Sequence, residues 1–328
     1  MTAIAPRPRA VEGAPPGVDV SVLVPAKDEA ENLPLFLQLC DETFRGAKER
    51  YEVIVIDDGS EDDTASVLSE LKGKYPFLRS VHHRAKRGIA DALRSGFLAA
   101  RSDLLVFYPA DLQFKPEDIP RLVAPILAGD SDMVTGYKQG NYEKAFVSGV
   151  YNALSRTLFH VPVRDLNNVK AYRREIMEEQ PARPDWHRYM IVLAAAKGFT
   201  VTEIPVPLYP RHAGKSKFGI SRIPIGVLDM LSVWFELKFA QKPLLAFGML
   251  GAGLFAVGFL AGLVGLGLLV AGYSGLAVRP VWTVIQTSMV LGSIFFATGL
   301  LGEQVAVLRA EQRDLRRLID DRRAPRAD

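Results

Sequence analysis

The stretch that decides the fold is Leu104-Leu105-Val106-Phe107-Tyr108-Pro109-Ala110-Asp111-Leu112-Gln113. An apolar run breaks off into a carboxylate and an amide. Such a run reads as a strand buried on both faces, as in a parallel sheet. Asp111 and Gln113 then fall at or just past its C-terminal end, the edge where open α/β sheets bind ligands. A carboxylate and an amide oxygen two residues apart can share a hard cation such as Mg²⁺, which also holds substrate phosphates. From this stretch alone, a capped turn after a core strand fits as well.

Working outward, the same pattern recurs upstream. Val18 to Val24 predicts a first strand ending at Pro25, before Ala26-Lys27-Asp28-Glu29 and a helix from about Glu31 to Phe44. Pro34 lies in that helix's first turn, where proline is tolerated. Tyr51 to Ile56 predicts a second strand, ending in Asp57-Asp58-Gly59-Ser60. Asp62-Asp63-Thr64 opens the next helix with acids at its positive end. Leu78 to His82 predicts a third strand, and Ile89 to Ala100 a helix. Strand–helix alternation with short links predicts a mostly parallel, doubly wound α/β sheet. Three strands finish in polar clusters, Lys27-Asp28-Glu29, Asp57-Asp58 and Asp111–Gln113, so these groups converge on one edge. Neither a Walker motif nor G-x-G-x-x-G follows the first strand, which argues against a P-loop NTPase and a dinucleotide oxidoreductase.

Downstream the composition changes. The chain has 328 residues, 48% of them hydrophobic and unevenly spread. No charged residue occurs from Pro243 to Val278, or from Pro280 to Gly302. A membrane span takes roughly 20 apolar residues, so both stretches predict transmembrane helices, about 244–272 and 281–303. Lys215, Lys217, Arg222, Lys238 and Lys242 precede the first span. Arg309, Arg313, Arg316, Arg317, Arg322, Arg323 and Arg326 follow the second, and only Arg279 lies on the link between them. Positive residues favour the cytoplasmic side, so the large domain and the tail are expected there, in a cell inner membrane. Cys40, the single cysteine, excludes an internal disulfide and suits a reducing compartment. The N-terminus lacks the apolar region of a signal peptide. The expected organisation is a disordered lead-in (1–17), an α/β domain (18–220), interfacial helices (221–242) with Trp234 and Phe235 as anchors, a transmembrane hairpin (243–307) and a basic tail (308–328). The net charge of +3 is small, and no nucleic-acid partner is expected. Gly258 and Gly262 form a small-xxx-small pattern for close helix packing.

Val22–Glu29, Val53–Ser60, Gly88–Leu93 and Ala110–Gln113, in this order, resemble family 2 glycosyltransferases of GT-A fold. Arg211-His212-Ala213-Gly214-Lys215-Ser216-Lys217 resembles the R-x-x-G-x-S-K segment of that family's polyprenyl-phosphate branch, which includes dolichol-phosphate mannose synthase and bacterial undecaprenyl-phosphate glycosyltransferases. The resemblance covers about Val20 to Lys242. It implies inverting transfer of one sugar from a UDP- or GDP-sugar to a polyprenyl phosphate at the cytoplasmic face of the membrane, with Mg²⁺ or Mn²⁺. It implies nucleotide-sugar contacts from Pro25, Asp28, Glu29, Asp57, Asp58, Arg211 and Lys217. It implies metal and diphosphate roles for Asp111 and Gln113, and an acceptor role for Asp165. Lys138, Lys144, Ser148 and Lys215 take the family's acceptor-phosphate positions; Lys144 and Ser148 share one face of a helix expected from Tyr142 to Phe159. The resemblance also allows a homotetramer.

Two departures stand out. Lys27-Asp28 replaces the family's frequent Tyr-Asn, and Pro109 replaces the first Asp of D-x-D-x-Q. The Q-x-x-R-W motif of processive polysaccharide synthases is absent near Asp185-Trp186-His187-Arg188. The rival readings are another lipid or glycan acceptor, or a membrane scaffold with weakened catalysis.

Overall fold

The computed structural model describes residues 17–139, 159, 163–166, 168–178, 186–213, 223–239, 242–275 and 278–323. They fall into two compact units, 1–227 and 228–328.

The first unit is a seven-stranded sheet of order β3-β2-β1-β4-β6-β5-β7. Its strands are β1 (Val20–Ala26), β2 (Tyr51–Asp57), β3 (Leu78–His82), β4 (Leu104–Phe107), β5 (Met133–Gln139), β6 (Lys170–Arg173) and β7 (Val201–Pro207). All neighbours run parallel except β6, which is antiparallel to both β4 and β5. β2 is buried along its whole length, which is why its middle, Val53 to Ile56, is continuously apolar rather than alternating. Helix α1 (Leu33–Arg45) buries Leu33, Phe36, Leu37 and Cys40, one stripe at helical spacing, with a proline in its first turn. Helix α2 (Ile89–Ala99) needs Gly96 where it crosses the sheet. A Cβ there would lie 2.8 Å from Ile56 Cδ1.

The chain winds outward from β1 to β3, then returns to lay β4 on the other side of β1. The carboxyl ends of β1 and β4 therefore flank the topological switch point, where a crevice opens in doubly wound sheets. Among the described residues, two non-glycine residues adopt left-handed backbone, and both stand at this edge: Asp28 (φ 55°) and Leu112 (φ 58°). Asp tolerates that conformation. For Leu it costs roughly 1–2 kcal/mol, and strain of this kind concentrates at functional sites.

A helix over Ile223–Phe239 crosses the boundary between the units, and the second unit holds two long helices, Pro243–Val270 and Arg279–Arg323. Both long helices contain segments long and apolar enough to cross a membrane, and few residues of those segments are buried. They differ in this from a buried soluble hairpin, and side chains such as Phe259, Leu260 and Val270 point outward. The second helix continues past its apolar part through the basic segment to Arg323. The two pack closely where glycines meet: a Cβ on Gly251 would lie 2.8 Å from the Gly292 carbonyl oxygen. Of the expected small-xxx-small pair, Gly258 packs on Ser288, whereas Gly262 faces open space.

Candidate active site

The site grows from the end of β4. Tyr108 still donates its backbone N–H to the Leu23 carbonyl of β1, 3.0 Å, and its hydroxyl donates to the Lys115 carbonyl, 2.7 Å. The chain then turns through Pro109 and the left-handed Leu112. Asp111 and Gln113 emerge on one side of that turn. Asp111 Oδ1 accepts the Gln113 N–H at 3.2 Å. Arg211 Nη2 lies 2.8 Å from Asp111 Oδ2 and donates to Gln113 Oε1 at 3.4 Å. One guanidinium thus spans both oxygens. Burial pushes the Asp111 carboxyl above its ordinary value, against the pull of Arg211.

Arg211 sits on a segment fastened across the edge. Tyr209 donates its N–H to the Gln113 carbonyl at 3.0 Å, Lys115 lies over the Tyr209 ring, and Asn32 Nδ2 donates to the Ala213 carbonyl at 3.5 Å.

The β1 and β2 ends are laced together. Pro25 closes β1 opposite Ile56. Lys27 Nζ donates to the Gly59 carbonyl at 2.9 Å and pairs with Asp28 and Glu61. Asp28 accepts the Glu61 N–H, and the Asp28 N–H donates to Ser60 Oγ. The Glu29 N–H donates to Thr64 Oγ1, and the Glu29 carboxylate accepts from Asn32 Nδ2. Asp57 accepts the Ser60 N–H and meets His82 Nδ1 at 3.2 Å. Asp58 is buried and draws on three donors: the N–H groups of Arg87 (2.8 Å) and Gly88 (2.7 Å) and His83 Nδ1 (2.8 Å). A carboxylate only accepts, so His83 Nδ1 carries a proton, and Nε2 lies 2.9 Å from Ser95 Oγ. Burial raises the Asp58 pKa, but the His83 hydrogen bond and the two amides outweigh it and hold the carboxyl below its ordinary value. Gly59 (φ 69°) admits no side chain: a Cβ would lie 2.6 Å from the backbone of Ala85 and Lys86.

On the other side of β4, Lys138 Nζ lies 3.4 Å from Asp165 Oδ2. Lys170 is fully buried and reaches the carbonyls of Leu166 (3.4 Å) and His187 (3.3 Å). Burial, followed by the Lys170 and Arg188 charges, pushes the buried His187 down to about 3, so its imidazole is neutral.

The fold thus brings Pro25, Asp28, Glu29, Asp57, Asp58, Asp111, Gln113 and Arg211 to the carboxyl ends of β1, β2 and β4, and joins Lys138 to Asp165. Lys144, Ser148, Lys215 and Lys217, and the helix expected from Tyr142 to Phe159 apart from Phe159, lie outside the described residues. Sequence reasoning missed His83 and Ser95 as partners of Asp58, and the buried charge of Lys170. A histidine directly after the β3 strand end was the available signal for the first.

Among the described residues, no group of three or more His, Cys, Asp or Glu side chains could hold a metal ion. Asp111 and Gln113 nevertheless offer two hard oxygens already converged on one cationic group. That donor set fits a divalent cation whose remaining ligands come from a diphosphate and water.

Three comparisons bear on this geometry. The model of "Glycosyl transferase family 2" matches residues 21–176. The chain is 28% identical over 321 residues to dodecaprenyl-phosphate galacturonate synthase of Rhizobium johnstonii, covering 93% of this chain and 94% of the relative. It is 29% identical over 303 residues to undecaprenyl-phosphate 4-deoxy-4-formamido-L-arabinose transferase of Klebsiella pneumoniae, covering 89% of each. In fold, it resembles glucosyl-3-phosphoglycerate synthase from Mycobacterium tuberculosis, solved with Mn²⁺, uridine diphosphate and glucosyl-3-phosphoglycerate. The TM-score is 0.54 at 20% identity, over 66% of this chain and 80% of that one. With the family match running from β1 past β6, across the β1/β4 switch point, this chain carries a glycosyl transferase family 2 domain over residues 21–176.

Proposed function

We propose that this chain transfers a single sugar from a nucleotide-sugar to a polyprenyl phosphate, inverting the anomeric centre. The observation that carries the reading is the Asp111–Arg211–Gln113 cluster at the switch point, with the Lys138–Asp165 pair across β4 from the laced carboxylates. Relatives that align over about nine-tenths of their length, one named for galacturonate and one for a formamido-arabinose, both act on polyprenyl phosphates by name and support the acceptor class.

The chemistry suits these groups. A phosphate monoester has a second pKa near 6, so the acceptor oxygen is anionic at neutral pH and needs no strong general base. That oxygen forms a bond to the anomeric carbon while the carbon–oxygen bond to the diphosphate breaks, and the nucleoside diphosphate leaves with the electron pair. The protein's task is to bring two phosphate-bearing substrates together and compensate their charge. Arg211 stands beside the diphosphate position, free to exchange its carboxylate partner for phosphate oxygens. Lys138, with Lys144, Ser148 and Lys215, holds the acceptor phosphate, and Lys217 joins Arg211 on the donor side. Asp165 orients Lys138. Pro25, Asp28, Glu29, Asp57 and Asp58 shape the nucleotide pocket. A divalent cation, Mg²⁺ or Mn²⁺, held by Asp111 and Gln113 would neutralise charge on the departing diphosphate.

The two apolar helices anchor the chain in the inner membrane, and the arginine-rich end and the catalytic domain both face the cytoplasm. The helix over 223–239 lies at the interface, with Trp234 and Phe235 in the headgroup region.

Membranes containing the chain, given a panel of labelled UDP- and GDP-sugars with Mg²⁺ or Mn²⁺, test the reading. Labelled lipid should form with one donor, and only when undecaprenyl phosphate is added. Label in lipid without that addition would favour another acceptor, and no label across the panel would favour a scaffold.

A further inference from the structure

The reaction as proposed leaves Lys170 unused, yet its placement is costly. Its Cα lies opposite Phe107 at the end of β4 and opposite Thr135 on β5. Its side chain is among the largest that are fully buried. Among the described residues, no carboxylate comes within ion-pair distance of Nζ. Its hydrogen bonds go to two backbone carbonyls at long distance, Leu166 at 3.4 Å and His187 at 3.3 Å, and the Phe107 ring lies 5.8 Å away. Burying an ammonium without a contacting anion is expensive. A neutral amide would bridge two carbonyls at far lower cost, so bridging alone does not account for a lysine.

What the lysine bridges is informative. Leu166 follows Asp165, whose carboxylate meets Lys138. His187 belongs to the short turn Trp186–Arg188, and its Nδ1 is buried with no hydrogen-bond partner. Both carbonyls therefore belong to segments that border the acceptor side of β4.

Resting on the acceptor assigned above, we infer that Lys170 is a positioning residue for the acceptor phosphate: it ties the Asp165 loop to the 186–188 turn and sets a fixed positive charge beneath the site where that phosphate docks. Burial, against the attraction of Asp165, lowers its pKa to about 8. The surrounding groups are Asp165 from the loop, His187 and Arg188 from the turn, Phe107 from β4, and Thr135 followed by Lys138 on β5. His187 stays neutral throughout the range tested, and a phosphate monoester is already doubly ionised there.

The test is binding of farnesyl phosphate to the full chain in detergent, by titration calorimetry from pH 7 to 9.5. Wild-type affinity should hold to about pH 8 and then weaken, approaching tenfold per pH unit as one proton is lost. Lys170→Met should bind at least about tenfold more weakly at pH 7, the scale of one lost charge-assisted contact, with a flat profile. A flat wild-type profile would overturn the inference, as would Lys170→Met retaining the wild-type profile. Should Lys170→Met fail to fold, the wild-type profile and Lys170→Gln decide the matter. Wild type that binds no farnesyl phosphate at any pH would remove the acceptor reading and this inference with it. Binding with a flat profile removes the inference alone.

Discussion

The two flanks of the β4 end handle charge in opposite ways. On the donor flank, carboxylates are satisfied by backbone amides: Asp58 takes those of Arg87 and Gly88 with His83, Asp57 takes that of Ser60, and Asp28 that of Glu61. At the β4 end itself and on the acceptor flank, charge meets charge or nothing. Asp111 leans on Arg211, Asp165 on Lys138, and Lys170 has only carbonyls. The first flank is wired before any ligand arrives, and the second holds charges that a ligand would compensate. Perturbing the amide-laced carboxylates should therefore cost stability, and perturbing the charge pairs should cost activity.

The largest effect is expected at Asp111. Asp111→Ala removes the carboxylate that faces Arg211 and should lower sugar transfer by about a thousandfold or more, measured as kcat on protein whose Tm confirms folding. Activity within tenfold of wild type would remove Asp111 from the site.

The donor flank gives the converse. Asp58→Ala strands two amides and His83 in a buried setting and should destabilise the domain by about 3 kcal/mol or more, read as a fall in Tm. The Asp58 pKa is lowered on folding. Its contribution is therefore present above the ordinary carboxylate value and is lost as pH falls through the lowered folded value. Wild type should lose its advantage over Asp58→Ala on acidification. A constant Tm difference would contradict the wiring.

Lys170 sharpens the contrast, because its folded pKa is depressed to about 8 from 10.5. Between those values the unfolded chain holds more protons, so wild type should gain stability relative to Lys170→Met as pH rises from about 8 to 10.5. The gain is on the order of 3 kcal/mol, followed by thermal unfolding in parallel buffers. Arg211→Ala should give a smaller effect, with transfer down about tenfold and Tm within a degree or two. A large Tm loss would make Arg211 a structural residue like the amide-laced carboxylates.

The donor flank was the more legible in the sequence, for a physical reason. Parallel strands buried on both faces write continuous apolar runs, and their ends are marked by the polar residues that follow, as at Asp57-Asp58 and Asp111. β6 left no such mark, because it is four residues long and carries Lys170, Tyr172 and Arg173. The left-handed backbone of Leu112 could not be read, since leucine carries no preference for it. Asp58's partner His83 lies 25 residues away, a pairing that exists only once β2 and β3 are parallel neighbours. Lys170 was least legible of all, because lysine reads as exposed unless something forces it inside.

The proposed reaction places one sugar on one lipid phosphate. The most direct measurement is the intact mass of undecaprenyl phosphate after incubation with the chain, its donor and Mg²⁺ or Mn²⁺. A single new species, heavier by one sugar residue and retaining the phosphate, is expected. A ladder of masses, or sugar on a lipid without phosphate, would contradict it.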